Sequence, residues 1–154
     1  MSATAAAARP VVICLGNDLR GDDGVALEVA RLLRPHLPPH ADLVESDGDP
    51  TAVIDAWTGR PLAVVVDAVV SAAAPGTVHH RTDLNVPASP RRSSHSLGLA
   101  EAVALGRALN RLPAALSFYG IEAADLTPGA PLTPPARAAA AQVADAIARA
   151  LAAP

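Results

Sequence analysis

The sequence predicts an α/β protein with a mostly parallel sheet and helices on both faces. Two observations carry the prediction. Short apolar runs rich in Val, Ile and Leu alternate with stretches of helical period along the chain. Hydrophobic residues make up 51% of the 154 positions but aromatic ones only 2%. A core built almost wholly from Val, Leu, Ile and Ala suits a buried parallel sheet covered by alanine-rich helices.

The elements follow in order. Residues 1–10 read as a flexible leader ending at Pro10. "VVICLG" (11–16) is continuous and β-branched, a strand buried on both faces and stopped by Gly16. From Asp22 to about Arg34 the period turns helical, with Val25, Val29, Leu32 and Leu33 on one side, and Pro35 ends it. "ADLVES" (41–46) is a second strand. "TAVIDAW" (51–57) is a short helix capped by Thr51 or Asp49. "PLAVVVDAVV" (61–70) is the strongest strand signal, although it contains an aspartate. After the "APGT" turn (74–77), "VHHRTD" (78–83) alternates like an edge strand. The connection from 70 to 78 is too short for a helical crossover, so this strand runs antiparallel to its predecessor. Residues 84–95 form a loop, 96–109 a helix and 114–121 a last strand. Residues 122–135 are a proline-rich loop, and 136–151 a terminal helix with Val143, Ile147 and Leu151 in line. No repeat or linker divides the chain, which reads as one domain over 1–154.

Composition excludes several function classes. The net charge of −3 and the lack of a basic stripe argue against nucleic acid. No apolar run reaches the ~18 residues of a membrane span, and the N-terminus does not read as a signal peptide. The single cysteine, Cys14, rules out an internal disulfide and a CxxC metal site, in keeping with a cytoplasmic protein.

In open α/β sheets ligands bind beyond the carboxyl ends of the strands. The pattern delivers Asn17, Asp22 and Asp23 there after the first strand, Asp47 and Asp49 after the second, and Asp67 near the end of the third. Tyr119 and Glu122 follow the last strand, and Ser93, Ser94 and His95 precede the helix at 96–109. Asp67 is the sharpest anomaly, because a buried, unpaired carboxylate in "VVVDAVV" is costly. Either the strand has emerged by Asp67 and the side chain caps a turn, or the carboxylate meets a cation or a set of donors. Of the adjacent pair, one aspartate, best assigned to Asp22, is explained by the helix dipole alone. Gly21 and Gly24 beside the pair suggest a tight bend or a close approach. His95, at a helix N-terminus, is kept neutral by the dipole, as a ligand or base requires, although a lone histidine there also fits a structural role. His79 and His80 are adjacent on a strand, point to opposite faces and cannot chelate one ion. They read as surface residues, with His36 and His40.

Asp23, Asp67 and His95 come from three elements that this topology brings to one edge of the sheet. Two carboxylates and an imidazole suit a divalent transition metal, and three protein ligands leave positions open for a substrate. Such an open site is also expected to capture a stray zinc or cadmium ion. HExxH, P-loop and dinucleotide fingerprints are missing.

The same segments resemble the endopeptidases that mature nickel-iron hydrogenases. "LGNDLRGDDGVA" is similar to the family's opening GxGNxLxxDDGxG, and "VVVDAV…APGTVH" to its central strand and PGT turn. "SSHSLGL" resembles SPHxLGL, and "YGIEAADLTPGAPLTPPARAA" resembles GIxPxxxxxGxxLTPxV. The four stand in family order with family spacing. Cys14 and Ala26 occupy positions where the family usually has glycine.

The resemblance implies a three-layer α/β/α fold with a twisted five-stranded sheet. It also implies metal contact and catalysis through the second acid of the signature, the strand aspartate and the histidine: Asp23, Asp67 and His95. The implied activity is removal of the C-terminal extension from a nickel-loaded hydrogenase large-subunit precursor. The nickel belongs to the substrate, and the enzyme holds no tightly bound cofactor of its own. Asn17 and the signature amides are candidate donors to the scissile carbonyl. A non-cleaving, nickel-sensing chaperone of the large subunit would carry the same residues. A phosphate-handling enzyme is disfavoured by the lack of basic residues around the loop beyond Arg20.

Overall fold

The continuous apolar run at the start of the chain forms the strand that organises the sheet. The computed structural model describes residues 9–17, 21–83 and 98–152. Strand β1 (Val11–Leu15) is buried along its whole length because both of its faces are covered. Val12 and Cys14 face one hydrophobic cluster and Val11, Ile13 and Leu15 the other, as the alternation of a strand requires.

The sheet has five strands in the order β2-β1-β3-β5-β4. Beside β1 these are β2 (Asp42–Ser46), β3 (Ala63–Val69), β4 (Val78–Arg81) and β5 (Leu116–Glu122). The β1–β2, β1–β3 and β3–β5 pairs are parallel, and β4 pairs antiparallel with β5. Helices α1 (Val25–Leu33) and α4 (Pro134–Ala152) pack on one face. Helices α2 (Pro50–Trp57) and α3 (Gly98–Ala108) pack on the other. This is the three-layer α/β/α arrangement that the sequence predicts.

Helix α1 buries Val25, Ala26, Val29, Ala30 and Leu33. The opposing side of α4 is largely alanine (Ala136, Ala139, Ala140, Ala144), so the two backbones approach closely over the sheet. On the other face Trp57 is fully buried, and its indole N–H donates to the Arg111 carbonyl at 3.0 Å. That bond ties α2 to the segment leading into β5. Of the two cap candidates, Asp49 serves: its carboxylate accepts from Thr51 N–H at 3.3 Å, with Pro50 opening the helix.

Three details differ from the sequence reading. The chain after β1 does not enter an α-helix at Asp22 but passes through a 3-10 turn, Gly21–Gly24, before α1 begins. Tertiary bonds to Asp22, described below, hold that turn. Strand β4 runs in the expected direction but lies outside β5, so β5 is inserted between β3 and β4. The Gly76 N–H donates to Glu122 O and the Glu122 N–H to Thr77 O, each near 3 Å, which carries the returning chain across the end of β5. Glu122 itself is the last residue of β5, not part of the following loop.

Candidate functional site

Strand order places the candidate residues. β1 leads through α1 to β2 on one side, whereas β3 lies on the other side of β1, so the topology reverses between β1 and β3. The crevice at such a reversal is where open α/β sheets bind ligands. Asp23 follows β1 and Asp67 stands on β3 one residue beyond the Cys14–Val66 pair, so both acids belong to this edge. The 3-10 turn that carries Asp23 packs against β3.

Asp67 is still within the strand, two residues before its end, and is only 5% exposed. The reading in which β3 has already emerged at this position is therefore excluded. By the alternation of β3 it shares the face of Ala63 and Val65, the face that α2 and α3 cover. Its register partner is Gly120. A Cβ at Gly120 would lie 3.0 Å from Val69 Cγ1 and 3.1 Å from the Phe118 ring, so glycine keeps the position opposite Asp67 uncrowded.

Asp23 is fully buried. Its carbonyl accepts from the Asn17 N–H at 3.0 Å, closing the loop that leaves β1. Gly16 permits this closure, because a Cβ there would sit 2.6 Å from the Asp23 carbonyl oxygen. The glycine that ends the first strand is thus also the residue that lets the acidic turn fold back onto it.

The adjacent aspartates have separate roles. Asp22 is also fully buried, and its carboxylate collects four donors from across the chain. Oδ2 accepts from Ala124 N–H (2.7 Å), Asp125 N–H (3.2 Å) and the Thr133 hydroxyl (2.8 Å). Oδ1 accepts from Thr133 N–H (2.8 Å). A dipole role alone does not describe this residue, which pins the β5–α4 loop to the turn.

His95, the third expected ligand, lies outside the described residues, as do Ser93 and Ser94; the nearest described residue is Gly98 at the start of α3. Among the described residues no three His, Cys, Asp or Glu side chains form a metal-ligating group. The structure thus brings Asp23 and Asp67 to one edge, and the expected trio contains a residue beyond its description.

Cys14 is fully buried, and burial, with Glu45 nearby, pushes its thiol up to about 12. It behaves as a core residue. His80 is exposed, stacked on Tyr119 with ring centroids 4.2 Å apart, and its Nε2 lies 3.0 Å from Ser117 Oγ. His79, expected at the surface, is partly buried and its Nε2 lies 2.9 Å from Glu122 Oε1. Glu122 also accepts from the N–H and hydroxyl of Ser71. Burial works to raise the pKa of Glu122, but the bonds from Ser71 and His79 outweigh it and hold the carboxyl below its usual range. The bonds from Ser71 to a buried acid anchor the chain leaving β3, close to Asp67. The sequence signal for this cluster was an acid at the end of an apolar strand; its partners are distant in the chain.

An open groove of about 440 Å³ runs past Gly21 and Gly24, between Leu27 of α1 and the Ala130–Leu132 segment. Its charged rim is internally paired, Arg31 with Glu28 and Arg34 with Glu45.

Comparison with known proteins accounts for this architecture. The family model described as hydrogenase maturation protease matches residues 28–150. The match begins just after the acidic turn. The chain is 28% identical to the hydrogenase 2 maturation protease of Escherichia coli K12 over 131 residues, covering 82% of this chain and 80% of that one. Among solved structures it resembles the hydrogenase maturating endopeptidase HybD from E. coli, with a TM-score of 0.82 and 26% identity over 93% of this chain and 91% of that one. It also resembles the [NiFe] hydrogenase maturation protease HybD from Thermococcus kodakarensis, with a TM-score of 0.70 and 28% identity over 94% and 99% of the two chains. With four-fifths of its length covered by the family model, this chain belongs to the hydrogenase maturation protease family.

Proposed function

We propose that this protein removes the C-terminal extension of a nickel-iron hydrogenase large-subunit precursor after nickel has been installed. The observation that carries the reading is the pair of buried carboxylates, Asp23 and Asp67, at the reversal of strand order in a chain of this family. His95, in the segment that leads into α3, completes the proposed set. The nickel arrives with the substrate, and the enzyme keeps no metal of its own. Zinc or cadmium, which accept the same oxygen and nitrogen donors, are expected to occupy the set when the protein is isolated.

Docking of the substrate's nickel between Asp23, Asp67 and His95 holds the scissile bond beside the acidic turn and makes an intermolecular encounter an oriented one. Water then adds to the carbonyl carbon, the C–N bond breaks, and the proton from water ends on the released amine. One of the two carboxylates takes that proton first, as a base held within the crevice. In this reading the side-chain amide of Asn17 and those amides of the turn not bonded within the fold are the candidate donors to the carbonyl oxygen as charge develops on it. A cytoplasmic setting is part of this proposal, in keeping with a chain whose one cysteine cannot form an internal disulfide. Among the described residues, no helix is long and apolar enough to cross a membrane.

The test is incubation of purified protein with precursor in nickel-loaded and nickel-free forms, followed by intact mass. Loss of the C-terminal extension from the loaded form alone is expected. An extension that stays intact in both would leave a non-cleaving, nickel-sensing chaperone as the better reading. Equal cleavage of both forms would remove nickel from recognition.

A further inference from the structure

We infer that Asp22 is a positioning residue, which fixes the conformation of the turn carrying Asp23 by clamping it to the β5–α4 loop. Only the cleavage arm of its test rests on the function proposed above. The geometry is unusual for a surface-loop acid. The carboxylate is fully buried, and both oxygens accept from Ala124, Asp125 and Thr133, more than a hundred residues away in sequence. The Asp22 N–H donates back to the Asp125 carbonyl at 2.8 Å, so side chain and backbone grip the same loop. A Cβ at Gly21 would come within 2.3 Å of that carbonyl oxygen, so glycine is what lets the turn sit this close to the loop.

Two of the four donors belong to Thr133, the residue just before α4. The clamp therefore anchors the turn to the start of the longest described helix, which itself packs on α1. Asp23 follows immediately, and its carbonyl is the acceptor for Asn17. Two adjacent acids divide the work: Asp22 is saturated by protein donors and holds, and Asp23 is held. The clamp also supplies the tertiary reason for a 3-10 turn where sequence period alone predicts an α-helix.

The distinguishing experiment is residue-resolved amide hydrogen exchange on wild-type protein and Asp22→Asn. The substitution keeps the shape but puts an NH2 among N–H and O–H donors. The Asn17 amide reports on the Asp23 carbonyl, and the Val65 and Phe118 amides report on the sheet. If Asp22 positions the turn, Asn17 exchange rises by about tenfold or more relative to Val65 and Phe118, since charge-assisted bonds are lost locally. Turnover of nickel-loaded precursor falls at a temperature where the variant is folded. An Asn17 rate that is unchanged, or that rises only by the factor seen for Val65 and Phe118, overturns the inference, because a merely stabilising residue would move all three alike. Should Asp22→Asn not fold, Thr133→Val removes a single hydroxyl donor and is read by the same ratio, with a smaller selective rise expected and none contradicting the clamp. If the wild-type protein leaves the precursor uncut, the protease reading fails while the exchange ratio still decides this one.

Discussion

Replacing Gly21 by alanine tests the contact between the acidic turn and the β5–α4 loop in quantitative terms. Gly21 has φ +55°, a left-handed conformation that costs an L-residue about 1–2 kcal/mol. Its added Cβ would lie 2.3 Å from the Asp125 carbonyl oxygen, which is backbone and cannot swing aside. Relief requires moving Asp125 away from the turn. That weakens the Asp22 N–H bond to the Asp125 carbonyl (2.8 Å) and the bonds from Ala124 and Asp125 to the Asp22 carboxylate. A neutral bond is worth about 1 kcal/mol and a charge-assisted one about 1.5–3 kcal/mol, of which only part is lost. The sum is about 3–5 kcal/mol. For a chain of this size that lowers Tm by roughly 6–20 °C. Gly129 is the control, with φ +80° and nothing within 4 Å of its added Cβ. Gly129→Ala then carries the conformational term alone, about 1–2 kcal/mol. Urea denaturation of the two variants beside wild type, with m-values compared, gives the difference directly. Stabilities within about 1 kcal/mol of each other would mean that the turn and the Asp125 carbonyl are not in close contact, because the steric and hydrogen-bond terms would then be missing.

Further expectations concern the acid at the end of β5 and the core thiol. Glu122 is held below its ordinary value near 4.5, so its contribution to stability is complete above that pH and fades as pH falls through the lowered folded value. Glu122→Gln should cost about 1–3 kcal/mol at neutral pH, and the gap from wild type should shrink in acid; a gap that widens on acidification would contradict the assignment. Cys14, buried and with its thiol at about 12, should resist alkylation by iodoacetamide at pH 8 in the native protein and react once urea unfolds it. Rapid native labelling would place the thiol outside the core. Ile13→Ala, in the middle of a strand covered on both faces, should lose about 2–5 kcal/mol in chemical denaturation, and a loss under 1 kcal/mol would argue against that packing.

Much of the architecture was legible because hydrophobic pattern encodes it locally. The unbroken run Val11–Leu15 announces a strand covered on both faces, and the Val25, Val29, Leu33 spacing announces the face that α1 buries. The direction of β4 followed from the length of one connection. What did not follow was its neighbour: nothing local in "VHHRTD" says that β5 will insert between it and β3. The 3-10 turn is not legible for a related reason, since the bonds that shape it come from Ala124, Asp125 and Thr133. The same long-range bonds separated two aspartates that look alike in sequence. Asp67 stood out because a carboxylate in an apolar strand demands an explanation, and it is buried as that reading expects. Glu122 gives no comparable signal, because Ser71 reaches it only through the β3–β5 pairing and His79 only because β4 lies on the outer side of β5.

The measurement that bears most directly on the proposed chemistry is single-turnover cleavage of nickel-loaded precursor by wild-type protein and Asp67→Asn, with folding of the variant verified by its denaturation curve. The rate is expected to fall at least about a hundredfold, because a group that works on the reacting atoms is neutralised. An Asp67→Asn protein that trims the extension at the wild-type rate would contradict it.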